Sequence, residues 1–367
     1  MKKAVVLGMI LLALGTLVYA ADAGVKITSF GRGLFAIEGG GDDTEATVTE
    51  SWAANSARVG ISILGTSDTA GFQIDIDTNT GAPEAGDQQK LWVKPFDMLT
   101  LQVGRIFDDT LRGSESFGAW NWLRYGSMSG DGAIFARVGE GGEVNFEAAV
   151  APMDAVYLFA AVGGNGTDLY AGNQTVQNAF HGGQFGGAYT ITGIGQVRAQ
   201  YIGSPSGAHS SEVINAAFKV TAVPNLTADI GLFYAMKPDA SPWDEKIAFG
   251  ADYTAMEAMV LHAIGVFGLD KDNDMTMELG AGLDYTIDKA AGLGVNADLR
   301  YLNKAATALG DKDQIGFLLG IAKSFPNGEV GVGVEVQTSG YFAGAQPVSS
   351  DGSKMVWAIP VKVGVSF

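Results

Sequence analysis

Large apolar residues fall on every second position through one stretch of this chain after another. In "VNADLRYL" (295–302), Val295, Ala297, Leu299 and Tyr301 share one face, and Asn296, Asp298 and Arg300 share the other. "TMELGAGLDY" (276–285) sets Met277, Leu279, Ala281, Leu283 and Tyr285 against Thr276, Glu278, Gly280, Gly282 and Asp284. The same alternation runs through "KIAFGADY" (246–253), "FQIDID" (72–77) and "GEVGVGVEVQ" (328–337). A period of two predicts β-strands with one apolar and one polar face. The sequence ends on "MVWAIPVKVGVSF", where Trp357, Ile359, Val361, Val363, Val365 and Phe367 alternate with mostly small or polar residues. Facing water, such a strand would template unwanted edge pairing. Its apolar face therefore calls for lipid.

The links between these stretches have two lengths. Short ones stand at 65–69, 95–98, 151–154, 223–225, 287–292 and 325–328. Long polar ones are expected at about 39–54, 79–88, 106–130, 164–180, 237–244, 304–312 and 339–354. Short and long links largely alternate, as the turns and external loops of a membrane barrel do. Counting back from Phe367 predicts an all-β, transmembrane antiparallel β-barrel of about 18 strands, within a range of 16 to 20, with odd numbers disfavoured. In 118–150, "WLRYGSM" and "AIFARV" fit either two strands or part of a long loop. A soluble β-sandwich would also alternate. Here, however, charges and glycines fill the non-apolar face along whole strands, which suits a water-filled lumen. Tyr234, Tyr253, Tyr285, Tyr301 and Phe325 stand at strand ends, where barrels carry their interfacial aromatics.

The N-terminus adds a destination. "MKKAVVLGMILLALGTLVYA" has two lysines, an apolar run and a small-x-small exit at Val18-Tyr19-Ala20, the layout of a secretory signal peptide. Cleavage is expected after Ala20, or after Ala23 in "ADA", and no cysteine follows to take a lipid. The expected organisation is a signal peptide at 1–20 and one barrel at 21–367. The formal charge of -17 becomes -19 when Lys2 and Lys3 leave with the signal. So acidic a chain argues against nucleic acid as a partner, since its phosphates would be repelled. Cys is 0, so an exported chain of this size does not rely on disulfides. No later apolar run approaches the roughly 20 residues of a spanning helix. A closed barrel is the spanning structure that remains.

The order of elements resembles the general porins of Gram-negative outer membranes. The likeness rests on the signal peptide, "VKITSFGRGLFAI" (25–37), "SARVGISILG" (56–65), "LWVKPFDMLTLQVGR" (91–105), a long loop, "NWLRYGS" (121–127) and a last strand closing on Phe367. It covers the mature chain as pattern, and 25–127 with the last strand as motif. The resemblance implies a channel in the outer membrane, with lipid and lipopolysaccharide around it. It implies that Phe367 ends an assembly signal read by the barrel-assembly machinery. It leaves open whether the chain acts alone or as a homotrimer. It further implies that the loop after the fifth strand folds into the lumen, making Asp108, Asp109, Arg112, Glu115 and Arg124 candidates for a constriction. Arg58, Arg198 and Arg300, each on the polar parity of its strand, are candidate wall cations facing them. An external loop packed on itself is the alternative for 106–130. Pro360 departs from an ideal last strand because it has no N–H for the ladder.

Little else points to chemistry. The three histidines, His181, His209 and His262, stand in no hydrolase-like spacing, and His262 lies within "AMVLHAIGVF". "DKDND" (270–274) has alternating acids, but Met275 and Ala281 occupy the positions where a calcium loop needs glycine and glutamate. It reads as an acidic surface loop, with a weak divalent site bridging to lipopolysaccharide as the alternative. Neither a cofactor nor an enzymatic activity is expected. The leading function is passive diffusion of small hydrophilic solutes with mild cation preference, from the acids on lumen parity. A surface antigen or adhesin anchored by its barrel, and a substrate-specific channel, are the alternatives.

Overall fold

The structure, a computed structural model, describes residues 24–40, 46–51, 57–78, 82–107, 110–111, 146–162, 183–203, 212–235, 245–269, 275–303, 313–338 and 354–367. Nineteen strand segments lie among them. The first nine are β1 (Gly24–Gly40), β2 (Thr47–Ser51), β3 (Arg58–Thr66), β4 (Ala70–Asp77), β5 (Glu84–Phe96), β6 (Leu99–Arg105), β7 (Phe146–Met153), β8 (Val156–Val162) and β9 (Gln184–Ile191). Then follow β10 (Gly195–Ile202), β11 (Val213–Val220), β12 (Leu226–Ala235), β13 (Glu245–Met256) and β14 (Met259–Leu269). The last five are β15 (Met275–Asp288), β16 (Leu293–Leu302), β17 (Gln314–Phe325), β18 (Gly328–Thr338) and β19 (Met355–Ser366).

From β3 on each strand pairs antiparallel with the next, β1 pairs with β2 and β3 on one edge and with β19 on the other, so the sheet closes on itself. β2 and β3 share one edge of β1: Leu34 stands opposite Ser51, and Arg32 opposite Arg58. They form one interrupted stave, giving a closed barrel of 18 strands. Among the described strands no edge is left to seed aggregation. The expected strand number and class are both observed. Six turns match the expected short links, and two more close β9 to β10 and β13 to β14. The ambiguous pieces of 118–145 lie outside the described residues, and β7 begins at Phe146.

The alternation becomes an outside and an inside. Outward-facing Ile315, Phe317, Leu319 and Ile321 of β17 are exposed, as are Val330, Val332, Val334 and Val336 of β18. An exterior this apolar is stable against hydrocarbon, where an Arg or Lys at mid-depth would cost about 2–4 kcal/mol. Tyr253, Tyr285 and Phe325 expose their rings near the short-turn end, and Tyr234 near the opposite end.

β19 shows how the terminus is fixed. Phe367 and Ser29 exchange backbone hydrogen bonds of 2.9 Å each, so the final residue is held in the ladder while its side chain faces outward. Towards β1 the register runs unbroken past Ala36↔Pro360. Towards β18 the pairing lapses between Val332↔Val361 and Glu335↔Ala358 and resumes with the same offset. Pro360 thus interrupts the ladder on one side without making a bulge.

Candidate functional site

The inner wall carries the charge. Asp75, Asp77, Asp229, Glu278, Asp284, Asp298 and Glu335 all fall on the inward parity of their strands, as do the three candidate arginines. The arginines are not brought together, however, and they have different surroundings. Arg58 on β3 keeps 18% of its side chain exposed; it donates to Asp77 across the β3–β4 pair at 2.6 Å. Its guanidinium also sits 5.7 Å from the Phe30 ring centroid, with Arg32 on the ring at 5.3 Å. The ring fits because Gly60 stands opposite Phe30, and a Cβ there would collide with it. Arg300 on β16 is buried, 4.0 Å from Asp298.

Arg198 on β10 is enclosed. Its guanidinium pairs with Asp229 of β12 and donates to the carbonyl oxygen of Leu111 at 2.8 Å. Leu111 belongs to the link after β6, so this contact holds the beginning of the link. Ile106 and Leu111 are buried against Ala149, Phe159, Ala161, Ala217, Ala248 and Val266. Those residues stand on inward positions of β7, β8, β11, β13 and β14, so the beginning of the link turns into the barrel. Gly186 permits the approach: a Cβ there would lie 2.6 Å from the Phe159 ring and 2.9 Å from a Leu111 methyl. The link's ends are tied by Gln102 of β6, which donates to Glu147 of β7 at 2.7 Å. Asp108, Asp109, Arg112, Glu115 and Arg124 lie outside the described residues.

Two features were not foreseen. The anchors Ile106 and Leu111 were the only large aliphatics in "IFDDTL", a signal that was there to be read. His262, placed by its apolar neighbours in a bland stretch, points inward from β14. Its Nδ1 is 2.5 Å from an Asp252 oxygen and its Nε2 3.0 Å from one of Asp284. At the short-turn rim, Phe30, Arg32, Pro326, Glu329, Gly364 and Ser366 line a groove of about 380 Å³. Among the described residues no cluster of His, Asp and Glu forms a metal site.

A closed 18-strand barrel, apolar outside, charged inside and entered by the link after its fifth stave, is the fold of the Gram-negative porins. Solved structures agree. An anion-selective porin from Comamonas acidovorans matches with TM-score 0.52 at 14% identity, covering 94% of this chain and 100% of that one. OccAB4 of Acinetobacter baumannii matches with TM-score 0.57 at 11% identity, covering 95% of this chain and 99% of that one. A triple mutant of the Rhodopseudomonas blastica porin matches with TM-score 0.50 at 14% identity, covering 94% and 100%. No family model matches the sequence, and no curated protein does.

Proposed function

We propose that this protein is an outer-membrane porin, a water-filled channel for passive diffusion of small hydrophilic solutes with a modest preference for cations. One observation carries the reading: a closed barrel of 18 strands whose lining is charged and glycine-rich while its exterior is apolar. A barrel this wide leaves an aqueous channel. Neither an adhesin nor an enzyme needs a charged lining.

The cation preference rests on the acids of the inner wall and the net charge of -17. Fixed negative charge in a narrow pore concentrates cations, and salt weakens the effect over a screening length of about 8 Å at physiological ionic strength. The paired Arg32 and Arg58 keep it modest. The Comamonas porin is described as anion-selective, so the fold itself does not decide the sign. The entry of Ile106 and Leu111 into the barrel supports a constriction built by the residues between and after them, Asp108, Asp109, Arg112, Glu115 and Arg124, with Arg58 as the wall cation open to solvent. Residues 1–20 act as a cleaved signal, and Phe367 closes the strand that the assembly machinery reads.

Purified protein in a planar bilayer tests this. Discrete ion steps with a cation-side reversal potential in a dilute salt gradient are expected. Absence of current refutes the channel, and an anion-side potential at low salt refutes the preference.

A further inference from the structure

The inward face near the short-turn end holds a group that diffusion through a porin does not require. His262 lies three residues into β14. Asp252 is its register partner on β13, and Gly282 its partner on β15. Because Gly282 has no side chain, the ring can lean towards Asp284, one inward position nearer the turn. Each nitrogen then lies within hydrogen-bond distance of a different carboxylate, at 2.5 Å and 3.0 Å. A neutral imidazole has one N–H and one lone pair, so only the imidazolium donates to both. All three side chains remain partly open to solvent, 23% for His262, 37% for Asp252 and 33% for Asp284. Asp284 also lines a groove of about 250 Å³ with Lys289, Asn296 and Ser324.

We propose that His262, held between Asp252 and Asp284, is a specificity-determining residue of the channel, whose protonation sets the charge that permeating ions meet at the short-turn mouth. The inference rests on the channel reading above. With imidazolium the three side chains sum to one negative charge. When the ring gives its proton to water they sum to two, and one nitrogen lone pair faces a carboxylate. The other charged groups nearby do not cancel this change. On β13, Lys246 stands at the opposite end of the strand, and on β15 Glu278 lies two inward positions beyond Gly282. On β16 Asp298 stands behind Gly282, beside Arg300 at 4.0 Å. At the rim, Lys289 is paired with Glu257 at 2.9 Å.

One unit charge at about one screening length, roughly 8 Å, from a passing ion in water changes the ratio of cation to anion permeability by about twofold. The test is the reversal potential of the full mature chain in a dilute potassium chloride gradient at pH 8 and pH 5, the range in which histidine changes charge. The wild-type ratio should fall about twofold on acidification. His262→Gln, which keeps a polar side chain, should make the fall clearly smaller than in the wild type. The pair His181→Gln and His209→Gln should leave the fall intact. A fall in His262→Gln as large as in the wild type, or no fall in the wild type, overturns the proposal. Should Gln at 262 prevent assembly, Asp252→Asn with Asp284→Asn serves instead: an unchanged ratio at pH 8 would overturn it. A wild-type protein that passes no current removes the channel reading itself, and this proposal with it.

Discussion

Arg198 offers the sharpest perturbation, because two consequences of removing it can be separated. The side chain is 2% exposed and Asp229 1%, so replacing Arg198 alone leaves a carboxylate buried without this partner. Breaking a buried pair in that way costs about 3–5 kcal/mol. It also removes a charged donor from the Leu111 carbonyl, an interaction of about 1.5–3 kcal/mol. Arg198→Met should therefore destabilise the barrel and loosen the link after β6. Arg198→Met with Asp229→Leu exchanges the ion pair for apolar groups of similar volume, which is often neutral. The double variant should regain most of the stability but not the hold on Leu111.

What remains of the anchor is the burial of Ile106 and Leu111, about 1.5–3 kcal/mol each. The link should stay seated in both variants but detach more often. A loss of 1.5–3 kcal/mol raises the detached population by about tenfold to a hundredfold. Urea unfolding in lipid vesicles reads the first effect, and closing events in single-channel records read the second. The single variant should be unstable and noisy, the double variant stable and noisy. A double variant as quiet as wild type would show that Arg198 does not hold the link, and the anchoring argument would fail.

Deleting 108–118 should widen the pore and raise conductance while the folded barrel persists, because the ladder pairings of β6 run to Arg105 and those of β7 start at Phe146; unchanged conductance in a folded barrel would refute the constriction. Asp108→Asn with Asp109→Asn should shift the reversal potential towards anions with little change in conductance. Removing Phe367 should abolish the 2.9 Å backbone exchange with Ser29 and leave unassembled chains that lack the heat-modifiable mobility of a folded barrel; normal surface levels would contradict its role.

The faces of the strands were legible because lipid and lumen demand opposite chemistry at successive residues. Every acid assigned to the lumen by parity, from Asp75 to Glu335, is inward. Legibility stopped where a strand leaves the hydrocarbon. The expected link at 79–88 overlaps β5, which starts at Glu84, and the one at 39–54 overlaps β2 at Thr47–Ser51. Above the apolar belt a strand needs no apolar face, so "EAGDQQ" and "TVTES" carry no alternation. The role of Arg198 was hidden for another reason. Parity sets its direction, but its partners Leu111 and Asp229 are 87 and 31 residues away in sequence, and no local pattern encodes such a meeting.

On the channel reading, the lining favours one side of the barrel for the path of solutes. One patch of the inner wall between β7 and β14 is made of alanines with Phe159 and Val266, and Ile106 and Leu111 cover it. At the depth of that patch, between the rims and beyond the short-turn mouth where His262 stands, the beginning of the link takes up room on this side, which favours the wall of β1 to β5, where Arg58 keeps 18% of its side chain exposed. There Arg32 and Arg58 stand directly opposite each other in the register. Like charges so placed repel and weaken a strand pair. Asp77 on one guanidinium and the Phe30 ring between the two offset part of that cost, but a neutral pair would need neither. On the channel reading the arrangement has a use: it sets a positive spot against an otherwise acidic lumen. An anion can then pass beside Arg32 and Arg58 while cations are favoured elsewhere, and the preference of the whole pore is held to a modest one. Arg32→Gln should accordingly raise the cation preference without reducing conductance, and an unchanged preference in that variant would place the path away from this wall.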